Sequence, residues 1–366
     1  MPSELMYQLA LTRIPLIGDV IIKKLLEHFS SAESIFKAKK NDLERIMNIG
    51  SIRAGALKSF NDFAGIEAEI NFLDRYKIKP LFCTDSGYPR RLLECYDTPA
   101  MLYYKGNTDL NSLKMVSIVG TRKPSAYGVM LTEKLVNDFK EAGIIIVSGL
   151  AYGIDVIAHA SALKAGIPTI GVLAHGLDRI YPPVHKGIAA QMVENGGLLT
   201  DFPSGTLPDK QNFPRRNRIV AGLCDVTIVV ESSTKGGSLI TADLANGYNR
   251  DVCCFPGRTT DLLSEGCNWL IRQNKAALIT SAAEVLEMMG WNERSRHIKK
   301  ISHTLFPVLT EAERGLLDIL QERSPRHLEE FYSITAFSGS QIANAMFGLE
   351  MQQLVKRLPG QMYELM

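Results

Sequence analysis

No apolar run in this 366-residue chain approaches the roughly twenty residues needed to cross a bilayer, and its start, Met-Pro-Ser-Glu-Leu-Met-Tyr, has no basic or long apolar stretch. A membrane span and a secretory leader are therefore not expected, and the chain reads as soluble and cytoplasmic. Cysteine is scarce: the six present (Cys83, Cys95, Cys224, Cys253, Cys254, Cys267) form no Cys-x-x-Cys pair. That argues against a thiolate metal site and predicts buried, reduced thiols with no metal. Charge of one sign is lacking too, with a net charge of only +2, so binding to nucleic acid would need a local patch. Three enzyme signatures are missing. No Gly-x-Gly-x-x-Gly opens the first helix of the α/β region, no Gly-x-x-x-x-Gly-Lys-Ser/Thr occurs, and there is no nucleophile elbow. These absences count against a nicotinamide dehydrogenase, a P-loop nucleotidase and an α/β-hydrolase, and no cofactor is expected.

What is present is ordinary globular material, 46% apolar and 22% charged, enough for two or three domains. From Met115 to about Gly290, apolar runs at 115–119, 144–147, 168–173, 197–200, 226–230, 251–255 and 277–279 alternate with helical stretches. The helical stretches include 128–142, 155–165, 183–195, 238–249 and 281–289. Nearly continuous apolar strands bounded by glycine imply a parallel sheet covered on both faces, hence a doubly wound, Rossmann-like α/β fold. Upstream, Pro80-Leu-Phe-Cys reads as a short strand, and Met101-Leu-Tyr-Tyr104 ends at a turn.

The expected division is a small helical domain at 1–65, the Rossmann-like domain at 66–290, a polar linker at 291–303 and a winged helix at 304–366. In the first, Ile14-x-x-Ile17-Gly18 is echoed by Ile46-x-x-Ile49-Gly50. The echo fits either a helix-hairpin-helix pair, whose glycine turns can meet a DNA phosphate, or a bundle that merely turns at glycine. In the last, three helices and a terminal hairpin fit a winged helix. Its third helix, opening Gly339-Ser-Gln-Ile-Ala-Asn-Ala-Met-Phe, is too poor in Lys and Arg for a strong duplex reader, and protein contact is an equal reading.

Four segments follow strands and so can gather at the carboxyl edge of the sheet, where doubly wound folds bind ligands. They are Ser117-Ile-Val-Gly120-Thr121-Arg122, Ser148-Gly149-Leu-Ala-Tyr-Gly153-Ile-Asp155, Phe213-Pro-Arg215-Arg216-Asn217-Arg218, and Glu231-Ser-Ser-Thr-Lys235-Gly236-Gly237-Ser238. The third offers guanidiniums beside an aromatic ring and an amide, a set suited to gripping phosphates and stacking a base. It sits in the connection after strand 197–200, where a plain helix start with a solvated charged face would also explain it. The fourth opens a helix with bare N–H groups, a ready anion nest. Together they predict a phosphate-bearing ligand. Asp155 and His159 read as a helix cap and a core histidine rather than as an acid/base pair, and no catalytic constellation is evident.

These segments, with Asp85-Ser-Gly-Tyr-Pro, Ala158-His159, Gly176-Leu-Asp-Arg-Ile-Tyr-Pro, Gly237-Ser-Leu-Ile-Thr-Ala and Phe255-Pro-Gly, resemble the DNA-processing protein A (DprA/Smf) family over nearly all of residues 75–290. The resemblance implies a binding protein rather than an enzyme. It implies a homodimer formed through the Rossmann domain that holds single-stranded DNA, protects incoming DNA and helps load RecA recombinase in natural transformation and recombination. Carried over by position, Gly120, Thr121 and Arg122 would hold phosphates, with Ser148, Gly149 and Gly153 in the adjoining loop. Arg215, Arg216 and Arg218 would line the channel, Phe213 would stack or wedge a base, and Lys235, Gly237 and Ser238 would close the pocket. Asn217 and Asp155 would brace these loops. A rival reading is a nucleoside-monophosphate phosphoribohydrolase on a similar scaffold. It is weakened because no glutamate follows Lys235-Gly-Gly-Ser-Leu-Ile-Thr-Ala. A second rival is a duplex-binding regulator acting through the winged helix.

Overall fold

The computed structural model describes residues 3–291, 309–352 and 354–365, so the expected linker lies almost wholly outside the described residues. The chain divides near residue 292 into two units.

In the first unit the apolar runs form β3 (Met115–Val119), β4 (Ile145–Ser148), β5 (Thr169–Val172), β6 (Gly196–Thr200) and β7 (Val226–Val229), in which every residue is buried. They continue into β8 (Asp251–Cys254) and β9 (Ala277–Leu278). Each of these seven strands pairs in parallel with its neighbours in the order β6-β5-β4-β3-β7-β8-β9. Two further strands, β1 (Lys79–Phe82) and β2 (Met101–Gly106), add antiparallel at the β6 edge to complete nine.

The helices of this unit are α1 (Glu4–Arg13), α2 (Asp19–His28), α3 (Ala32–Lys37), α4 (Lys40–Glu44), α5 (Gly50–Ser59), α6 (Phe63–Tyr76) and α7 (Arg90–Leu93), followed by α8 (Ala126–Asp138), α9 (Ile154–Ala165), α10 (Lys186–Glu194), α11 (Asn212–Leu223), α12 (Gly237–Gly247), α13 (Glu265–Arg272) and α14 (Ala282–Met288). Apolar residues of α8, α9 and α14 cover one face of the parallel sheet, among them Leu135, Ala158 and Val285. Those of α11, α12 and α13 cover the other, among them Ile219, Ala242 and Leu270. Burial on both faces explains why the strands read as unbroken apolar runs instead of alternating ones.

Helices α1–α6 share one core with Phe82, Met101 and Tyr103 of β1 and β2. The boundary expected after residue 65 falls inside α6. Gly18 and Gly50, the echoed glycines, stand at the starts of α2 and α5.

The second unit has three helices, α15 (Glu311–Glu322), α16 (Leu328–Ile334) and α17 (Gly339–Met351), and an antiparallel sheet of β10 (Arg326–His327), β12 (Met362–Leu365) and β11 (Val355–Leu358) in that spatial order. Leu316, Leu320, Phe331, Ile342 and Leu349 are the centre of its own core. Among the described residues no helix is long and apolar enough to cross a membrane.

Candidate nucleic-acid interface

From β3 the chain adds β4, β5 and β6 on one side, then returns along α11 to place β7 on the other side of β3. Loops after β3 and β7 therefore part company, and the crevice between them is where a doubly wound sheet leaves room for a ligand. A cleft of about 640 Å³ occupies this point. Its walls come from Gly120-Thr121-Arg122 after β3, Gly149 and Ala151 after β4, Phe213, Arg216 and Asn217 of α11, and Ser233 with Gly236–Ser238 after β7.

Backbone chemistry locks the loops in place. Gly153 has φ +79°, and a Cβ there would lie 2.2 Å from the Thr121 carbonyl oxygen, so only glycine fits. The loop after β3 is pinned from both sides: Thr121 N–H donates to the Glu231 carbonyl (2.8 Å), and Ile154 N–H donates to the Thr121 carbonyl (3.2 Å). Buried Asp155 accepts from the N–H groups of Gly149 (3.1 Å) and Ala151 (3.4 Å), holding the loop after β4. Burial raises the Asp155 pKa, opposed by Arg216 and those donors. His159 is fully buried with Nδ1 2.7 Å from the Thr169 hydroxyl, and burial lowers its pKa to about 3. The imidazole is therefore neutral and belongs to the core.

The arginine run is the first half of α11. Pro214 falls in the first turn, where a missing N–H costs nothing. Helical spacing sends the three guanidiniums to different places. Arg216 is buried, and its guanidinium donates to the carbonyls of Gly149 and Val172, tying α11 to the ends of β4 and β5. Burial lowers its pKa to about 10, and the neighbouring Arg122 adds to that. Arg218 donates to Asp201 (2.8 Å) and Asp19 (2.9 Å), away from the cleft. Arg215 pairs with Asp201 (3.1 Å) and stacks over Phe202, its guanidinium carbon 5.0 Å from the ring centre. Asp201 thus engages two of the three arginines expected to line a channel.

Arg122 is different. Its side chain is exposed, and its guanidinium carbon lies 5.3 Å from the centre of the Phe213 ring. Across the cleft, Gly237 and Ser238 open α12 with N–H groups that have no intrahelical partner. Ser148 lies beneath this surface, its hydroxyl donating to the Ile118 carbonyl (2.6 Å), and Lys235 faces a separate hollow with Asp243 and Trp269. So Gly120, Thr121, Arg122, Gly149, Phe213, Arg216, Asn217, Gly237 and Ser238 converge on one cleft, whereas Ser148, Gly153, Arg215, Arg218 and Lys235 do not line it.

Two cleft side chains with chemistry suited to nucleic acid escaped the reading of the sequence. Tyr181 lines the cleft with its ring centre 6.2 Å from that of Phe213, and Lys210 lines it from the segment before α11. Tyr181 lies within the motif Gly176-Leu-Asp-Arg-Ile-Tyr-Pro, but no chemistry in that stretch singles out the ring. Lys210, in a polar connection, carries no signal at all.

With this geometry in view, the comparisons with known proteins agree among themselves. The family model for the DNA recombination-mediator protein A matches residues 79–290. Protein Smf of Synechocystis is 34% identical over 99% of both chains. The DNA processing protein DprA of Streptococcus pneumoniae is 37% identical over 69% of this chain and 96% of its own. The crystal structure of the Streptococcus pneumoniae protein superposes with a TM-score of 0.67 at 35% identity, covering 77% of this chain and 97% of that one. A structure of DNA processing protein A from Helicobacter pylori, concerned with its single-stranded DNA binding mode, gives 0.53 at 31% identity over 58% of this chain and 95% of that one.

Proposed function

The chain belongs to the DNA recombination-mediator protein A family, and from that premise we propose that it binds single-stranded DNA in the cleft between the β3 and β7 loops. The observation that carries this reading is the exposed Arg122 guanidinium set against Phe213, facing the free N–H groups of Gly237 and Ser238. A cation and an aromatic face serve backbone and base together, without sequence preference. Lys210 adds a second cation, and Tyr181 extends the aromatic surface. Two arginines act indirectly: buried Arg216 and ion-paired Arg218 fix α11, and so fix Phe213.

In this reading the protein is a binder, not a catalyst. It protects incoming DNA and helps place RecA recombinase on it during transformation and recombination. It acts as a homodimer formed through the sheet-bearing unit, whose two clefts gain avidity by acting on one strand. The three helices and small sheet of the second unit would be a winged helix used for protein contact.

The test is competition between a labelled single strand and the same sequence as duplex, at two salt concentrations. Engagement of about four phosphates per protomer predicts that log K falls by roughly three units per tenfold salt. Selective, salt-sensitive single-strand binding supports the proposal, and equal or stronger duplex binding overturns it. Incubation with nucleoside monophosphates is expected to release no free base, and release would favour the phosphoribohydrolase.

A further inference from the structure

We propose that a second cleft, on the far side of the β7 loop, is a subsite for the same DNA strand, reached only by strands longer than the main cleft holds. The inference rests on the single-strand reading of the main cleft. This second hollow has a volume of about 980 Å³ and is lined by Ser125, Ala126 and Tyr127 at the start of α8, by Glu231, and by residues of the loop 256–264 after β8. The two clefts lie along the same carboxyl edge. One is bounded by Gly120–Arg122 and Ser233, the other by Ser125 and Glu231. Only Lys123-Pro124 on one loop and Ser232 on the other intervene in sequence.

The chemistry repeats that of the first cleft. Arg258 is exposed on the far wall, and Arg122 and Lys123 are exposed on the loop between the clefts. Tyr127 stands 52% exposed at the start of α8, with Leu262, 71% exposed, also lining the hollow. Base-on-aromatic stacking is a sequence-tolerant use for such a ring beside a cation. Two carboxylates line the hollow. Buried Glu231 is committed, since one oxygen accepts from the Ser125 N–H (2.9 Å) and the other from the Ser125 hydroxyl. Asp261 is exposed, and its N–H donates to the Arg258 carbonyl (3.1 Å), so cation and carboxylate share one tight loop. Against the exposed cations Arg122, Lys123 and Arg258, this single uncommitted carboxylate leaves the path between the clefts positive.

The test measures affinity for oligothymidylates of about six and about fifteen nucleotides, lengths within the range of single-strand site sizes. Wild type is compared with Tyr127→Ala, Arg258→Ala and, as reference, Arg122→Ala. All three side chains are exposed, so folding is not at issue. For the longer strand, Tyr127→Ala and Arg258→Ala are each expected to weaken binding roughly tenfold, the scale of one stacked base. Arg258→Ala is also expected to reduce the salt slope by about 0.7. Both variants leave the short strand at wild-type affinity, whereas Arg122→Ala weakens both lengths. If Arg122→Ala weakens both lengths while Tyr127→Ala and Arg258→Ala leave the longer strand unaffected, the subsite is refuted and the main cleft stands. If wild type binds neither length, or binds both regardless of Arg122, the reading of the main cleft fails and the subsite falls with it.

Discussion

A guanidinium does different work according to what already holds it. Arg122 is exposed beside Phe213, but Arg218 is committed to Asp201 and Asp19. Arg218→Ala would leave Asp201, whose side chain is 1% exposed, with one cation fewer. Loss of a buried partner of this kind costs about 3 kcal/mol. The expected outcome is a clearly lower unfolding midpoint with an unchanged salt slope for single-strand binding, read by thermal denaturation and titration in parallel. His159 gives a pH dependence. Its folded pKa, about 3, lies below the ordinary 6.5, so its contribution is present above pH 6.5 and drains away as the pH falls toward 3. Between pH 7 and pH 5 that is about 2 kcal/mol, measurable as a drop in the urea midpoint, and His159→Asn is expected to flatten it.

At the scale of elements, the loops hold the cleft open through a few obligatory conformations. Gly153→Ala sets a Cβ against the Thr121 carbonyl at positive φ, whereas a Cβ at Gly237 meets nothing within 4 Å. Gly153→Ala is expected to cost about 1–3 kcal/mol and to weaken single-strand binding by shifting the Arg122 loop; Gly237→Ala is expected to leave stability near wild type. Thermal melts and titrations of both variants check this. The parallel strands were legible because burial on both faces writes unbroken apolar runs, as in Ile144-Ile-Ile-Val147. The antiparallel pairing of β1 and β2 was not, since Pro80-Leu-Phe and Met101-Leu-Tyr-Tyr are short and depend on partners distant in sequence. In α11 the residue types were legible but not their directions. Helical spacing turns Arg216 inward to Gly149 and Arg218 toward Asp19, a carboxylate 199 residues away in sequence. No local pattern announces such a partner.

At the scale of the molecule, the balance of charge shifts along the chain. Beyond residue 309 the chain carries eight Asp or Glu against five Lys or Arg, the wrong balance for a phosphate-binding surface. The first unit has its own cores and the described cleft. A chain ending at residue 291 is therefore expected to keep the affinity and salt slope of the whole protein for a short single strand, checked by the same titration. The central claim is that one exposed arginine at the switch point of the sheet neutralises DNA phosphate. The measurement that tests it most directly is the salt dependence of single-strand affinity in wild type and Arg122→Ala. A lower affinity, with a slope shallower by about 0.7 for each phosphate no longer neutralised, is the predicted result. Equal affinity and an equal slope in the two proteins would contradict it.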